Sequence, residues 1–133
     1  RPRMIGSGAM KLGGVHHVSL NVHDVALTGR FYTEVLGLET LPRPDFPFPG
    51  LWLQAGAQQI HLIEVKDHQA PEGQHFALRV EDLDGICAEL AARGVVVSRP
   101  MDVPGAGRQA FLRDPSGNLI ELNQPAPVAP ASR

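Results

Sequence analysis

Two stretches of the chain repeat one alternating pattern. Val18, Leu20 and Val22 interleave with His17, Ser19 and Asn21, and Phe76, Leu78 and Val80 interleave with His75, Ala77 and Arg79. A period of two predicts half-buried strands, with the apolar set on one face and the polar set on the other. His17 and His75 stand 58 residues apart (75 − 17), and the same offset aligns Leu20 with Leu78, Val22 with Val80 and Asp24 with Asp82. Each strand runs into a helix start, because Asp24 and Asp82 can accept from free backbone N–H groups as N-caps. The first helix is predicted over 25–36, with Leu27, Phe31, Tyr32 and Val35 on its apolar stripe. The second is predicted over 83–93, with Leu83, Ile86, Cys87 and Leu90. Gly37 and Gly94 suit the left-handed position that ends a helix.

Three short extended stretches follow each helix: 38–41, 51–55 and 58–65, then 95–99, 108–113 and 118–123. Gly56-Ala57 and Asp114-Pro115-Ser116-Gly117 supply the turns of the final hairpins. The expected fold is therefore α+β, with two tandem βαβββ modules at about 13–70 and 71–123. Together they should form a cup-shaped mixed sheet with helices on its outer face. Residues 1–12 lack periodicity and 124–133 are rich in Pro and Ala, so both are expected to be flexible extensions. The connection 42–50 holds four prolines, which excludes a central strand and predicts a stiff loop over a cleft.

Composition narrows the chemistry. A net charge of −2 gives no basic field for nucleic acid, and no apolar run reaches the ~20 residues of a membrane span. A single cysteine, Cys87, excludes an intrachain disulfide framework and fits a reducing, cytoplasmic setting. It is expected to be a buried helix residue. Histidine is in excess, with six in 133 residues. His17 and His75 sit at equivalent places on the first strands, and His61 and Glu121 at equivalent places on the last. Ile60 and Leu62 flank His61 as Ile120 and Leu122 flank Glu121, so all four polar groups should leave the helices and face the cup. Three imidazoles and a carboxylate suit one divalent Zn, Ni, Co, Mn or Fe(II) rather than Ca or Mg. Four protein ligands leave open sites for water or substrate. His16 should be packed or exposed on the other face, and His23 and His68 should be solvated.

These motifs strongly resemble the vicinal oxygen chelate superfamily, the glyoxalase/bleomycin-resistance/extradiol-dioxygenase group. The matching runs are 15–22 (Val-His-His-Val-Ser-Leu-Asn-Val), 31–38, 75–80 and 111–122 (Phe-Leu-Arg-Asp-Pro-Ser-Gly-Asn-Leu-Ile-Glu-Leu). The resemblance implies paired modules, a small-molecule substrate that chelates the metal through oxygen, and a homodimer. It places His17, His61, His75 and Glu121 at the ligand positions. His61 stands where glyoxalase-like members usually carry Glu or Gln, so Glu121 becomes the candidate for proton transfer, with His61 as the alternative. Dioxygenase-like members also use a tyrosine near the metal, and Tyr32, the one tyrosine, falls on a helix.

The hairpin turns predict Trp52 opposite His61, Ala110 opposite Glu121 and Arg108 opposite Asn123. Cross-strand partners share a face, so Trp52 and Arg108 should look inward, as should Asn21 and Arg79 by parity. These four are the candidate substrate contacts, with a cross-sheet ion pair the other role for Arg79. The sequence thus predicts a metal-dependent lyase or isomerase acting on a small oxygen-chelating metabolite. A dioxygenase or a non-catalytic binding protein is the alternative.

Overall fold

A computed structural model describes residues 8–127. The first module runs β1 (His17–Val22), α1 (Val25–Arg30), a π-helical turn (Phe31–Val35), β2 (Glu39–Leu41), β3 (Gly50–Ala55) and β4 (Gln58–Glu64). The second runs β5 (His75–Arg79), α2 (Leu83–Ala92), β6 (Met101–Val103), β7 (Gly107–Arg113) and β8 (Leu119–Gln124). The sheets have equivalent orders, β1-β4-β3-β2 and β5-β8-β7-β6, each a parallel pair extended by two antiparallel ones. The fold is α+β with two βαβββ modules, as the repeat predicts.

Asp24 caps α1 through Leu27 N–H and Asp82 caps α2 through Gly85 N–H. Gly37 and Gly94 end the helices with φ of +77° and +79°, a conformation open to glycine at little steric cost. The first helix covers the predicted span but widens in its second half, where Leu36 N–H reaches back five residues to the Phe31 carbonyl. The alternating strand positions and the helix faces meet in a core of Val22, Tyr32, Leu53, Leu62, Leu83 and Ile120, each at most 2% exposed.

The structure departs from the expected elements at several places along the chain. Leu27 and Ile86, assigned to apolar stripes, are 49% and 36% exposed. Residues 95–99 make one isolated bridge, Val97 to Leu112, and the ordered edge strand is β6, just past Pro100. A proline lacks the N–H that would carry the ladder through that stretch. Gln124, assigned to the tail, belongs to β8 and its side-chain oxygen accepts from Leu83 N–H at the start of α2. Residues 1–7 and 128–133 of the expected extensions lie outside the described residues.

Buried polar groups tie the modules together. Asp114 accepts from Tyr32 O–H (2.8 Å) and Asn118 Nδ2–H through Oδ2, and from the Ser116 and Asn118 backbone N–H groups through Oδ1. Ser116 Oγ meets Thr28 Oγ1 and accepts from His23 N–H. His68 is buried, not solvated, with Nε2 on Asn118 Oδ1 and its carbonyl in contact with His23 Nε2. A turn in module two is thereby fixed to the helix and loops of module one. Among the described residues the two sheets share no ladder hydrogen bond.

Candidate functional site

Parallel pairing of β1 with β4 sets His17, Ser19 and Asn21 on the same face as Gln59, His61 and Ile63. Trp52 pairs directly with His61 as the turn predicts. The result is a ring stack: Trp52 lies on His61 (centroids 4.1 Å, planes 4° apart), and His61 lies on His17 (4.1 Å, 16°). His61 is 7% exposed, with Nε2 2.8 Å from Gln59 Oε1. Burial, followed by the neighbouring His17, His16 and Arg43 charges, holds its imidazole below its ordinary pKa. The ring therefore stays neutral, and able to ligate, to lower pH than a free histidine. His16 is exposed, and its Nδ1 comes to 2.9 Å from His17 Nδ1.

The equivalent place in module two holds His75 and Glu121. Glu121 is 7% exposed, and Oε1 is 3.1 Å from His75 Nε2. His75 Nδ1 faces the Gly73 carbonyl at 3.0 Å, and a carbonyl can only accept, so Nδ1 carries a proton. A neutral His75 then has a lone pair at Nε2 aimed at a carboxylate oxygen. A proton shared between the ring and the carboxylate, or a cation bridging them, satisfies that contact. Asn123 Nδ2–H donates to Glu121 Oε2 at 2.8 Å and orients the carboxylate. A carbonyl-anchored imidazole beside an oriented carboxylate is donor chemistry suited to a borderline divalent ion.

The four expected ligands are brought together as two pairs, His17 with His61 and His75 with Glu121. Among the described residues no three His, Cys, Asp or Glu side chains gather into one metal-holding group. Within one chain the set thus stands as two separate pairs, and the cup expected from the tandem repeat is not closed by sheet pairing among the described residues.

The expected substrate contacts divide. Trp52 is in the site. Asn21 and Arg79 are exposed on the predicted faces, and Arg79 makes no ion pair among the described residues. Arg108 is a correction. The β7–β8 register is one residue from that expected, pairing Arg108 with Gln124, Ala110 with Leu122 and Phe111 with Glu121. Arg108 therefore faces α2, where it binds Asp84 (2.8 Å) and Asp102 (3.1 Å). Phe111 takes the inward place, its ring 5.6 Å from that of His75. Sequence reasoning also missed Gln59 and Asn123. Each stands two residues from a predicted ligand in the same strand, so parity alone could have found them. A cavity of about 670 Å³ is lined by apolar residues of the opposite parity, such as Val18, Ile60, Phe76 and Leu78, and also by Gln59, Ala77 and Arg79.

Two consecutive βαβββ units, each a four-stranded mixed sheet with one helix segment, define a two-module α+β protein. Residues 14–122 match the family model of the Glyoxalase/Bleomycin resistance protein/Dioxygenase superfamily, and the chain belongs to that superfamily. It is 32% identical over 125 residues to lactoylglutathione lyase GLX1 of Arabidopsis thaliana, covering 84% of this chain but 44% of that protein. The chain thus spans less than half the length of that relative. A glyoxalase family protein from Bacillus anthracis superposes with a TM-score of 0.81 at 24% identity, covering 90% of this chain and all of that one. TnmS3, an antibiotic binding protein from Streptomyces sp. CB03234, superposes with a TM-score of 0.76 at 32% identity, covering 89% of this chain and all of that one.

Proposed function

We propose that this chain is a divalent-metal-dependent lyase or isomerase acting on a small oxygen-chelating metabolite, with its ligands gathered across a homodimer. The observation that carries the reading is the His75–Glu121 contact, in which an imidazole Nε2 and a carboxylate oxygen stand 3.1 Å apart beside a backbone-anchored ring. His17 and His61 of one subunit would complete the shell with His75 and Glu121 of the other, since the pairs stand apart within one chain. A bound ion would polarise a substrate oxygen and stabilise developing negative charge there.

The chain's own residues would do the rest. Glu121 would hold or return a proton at a carboxylate oxygen, with Asn123 restraining the other oxygen. Gln59 would fix the His61 ring and Trp52 would exclude water from one side. The likeness to a lactoylglutathione lyase favours lyase chemistry. A dioxygenase is disfavoured, because Tyr32 is fully buried against Asp114 and away from this face.

The test is metal analysis of protein purified without added metal, followed by an activity screen with the ion found. Occupancy of about one ion per chain, lost in His17→Ala and Glu121→Gln, is expected. Absence of stoichiometric metal, together with ligand binding indifferent to chelation, would sink the proposal. A second reading, binding without turnover, is favoured by the likeness to an antibiotic binding protein. It requires ligand affinity to survive both His17→Ala and His75→Ala.

A further inference from the structure

The proline-rich connection between β2 and β3 carries a group that the metal reading leaves unused. Arg43 is half-buried, yet among the described residues it pairs with no carboxylate. Its Nη2–H donates to the Phe48 carbonyl at 2.9 Å. Its Cζ lies 4.9 Å from the Phe46 ring centre and 5.0 Å from that of Phe48, within cation–π range of both. Gly50 admits it: a Cβ there would come within 2.7 Å of Arg43 Nη2 and 2.6 Å of the Leu62 carbonyl. Gly50 and Trp52 share strand parity, so the guanidinium stands on the same face as the Trp52–His61–His17 stack.

The aromatic rings around it lie next to that stack, with Phe46 tilted about 50° to Trp52. Phe46 and Phe48 lie parallel at 5.2 Å, and Phe46 is 6.3 Å from Trp52. Both phenylalanines remain about two-fifths exposed, at 40% and 41%. The loop that holds them is stiff. Four prolines restrict its backbone, and Phe46 N–H closes a three-residue turn on the Pro44 carbonyl. Exposed aromatic faces cost solvation, and a half-buried guanidinium without a counter-ion costs more. A ligand that supplies a flat apolar face and a negative charge relieves both at once.

We infer that Arg43, Phe46, Phe48 and Trp52 form a subsite for a planar aromatic anion, so that the substrate or ligand carries an aromatic ring with a carboxylate or similar group. The ring lies against Phe46 and Trp52, and the anion takes the free N–H donors of Arg43. This rests on the reading that the Trp52–His61 face is the ligand face. It does not require the metal, since Arg43 and the aromatic rings are not among the proposed ligands.

Calorimetric titration of the full chain with 2-naphthoate tests it, against neutral 2-naphthamide and saturated decahydro-2-naphthoate. Each titration is run on metal-loaded and on chelator-treated protein. Naphthoate is expected to bind about tenfold more tightly than either control, as one charge-assisted bond or one good stack would give. Arg43→Gln should erase the advantage of acid over amide, and Arg43→Lys should keep part of it, which separates charge from folding. Phe46→Leu should erase the advantage of the flat ring over the saturated one. Equal binding of all three probes, or none, overturns the inference, as does an acid preference that survives Arg43→Gln. A protein that binds no metal but keeps this pattern defeats the metal reading and leaves the subsite standing.

Discussion

At the residue scale, the arrangement turns on which polar atoms have partners. Asp114 has four donors on its two oxygens, and one of them, Tyr32 O–H, comes from the other module. Burial, then the adjacent Asp114 charge, pushes the Tyr32 phenol well above its ordinary pKa, so it stays a donor throughout the working pH range. Tyr32→Phe deletes that donor while three remain, and should cost about 1–3 kcal/mol in denaturant unfolding. An unchanged midpoint would mean that the buried bond contributes nothing. His61 gives a pH prediction. Its folded pKa lies below the ordinary 6.5. Below pH 6.5 the unfolded chain therefore takes up a proton that the folded chain refuses, and stability falls as pH drops through that window. Metal-free His61→Gln should lose less stability than wild type between pH 8 and pH 5, as measured by unfolding at each pH. Parallel losses in the two proteins would contradict this.

At the element scale, β7 shows both the reach of the sequence pattern and where it ends. Period-two alternation located the strands carrying His17, His61, His75 and Glu121, because one face of each is core and the other is not. It also gave the Trp52–His61 register, since a two-residue Gly56-Ala57 turn leaves little freedom. The 114–118 turn is different. Asp114 N–H donates to the Asn118 carbonyl, and Asp114 Oδ1 accepts from Ser116 and Asn118 N–H, so the turn closes one residue wider than Pro115-Ser116 alone suggests. That shift moves Arg108 to the helix side and Phe111 into the site. The isolated bridge at Val97 was illegible for a related reason: strand propensity in Val95–Val97 loses to the turn that leaves α2, where Val95 N–H returns to the Leu90 carbonyl. Arg108→Gln is accordingly expected to leave ligand affinity unchanged. It should lower the thermal midpoint only slightly, and by less at high salt, because both ion pairs are exposed. A clear loss of ligand binding in a calorimetric titration would place Arg108 back in the site.

At the scale of the whole molecule, the repeat gives each chain two donor pairs, His17 with His61 and His75 with Glu121. Buried groups around Asp114 tie the modules together, and among the described residues the two pairs do not meet in one metal-holding group. In the proposed homodimer, a two-fold axis would bring module one of each subunit against module two of the other and yield two equivalent sites. The arrangement makes a sharp prediction for mixtures of defective chains. His17→Ala and His75→Ala homodimers each lack an intact ligand set. In a mixed dimer, one site collects both substitutions and the other collects His17 from the His75→Ala chain and His75 from the His17→Ala chain. Random exchange makes about half of all dimers mixed, each with one intact site of two, so metal occupancy should return to about a quarter of wild type. Metal analysis after co-refolding equal amounts of the two variants reads this directly. A site closed within one chain would show no recovery at any mixing ratio, because every chain in the mixture would lack one of its own ligands.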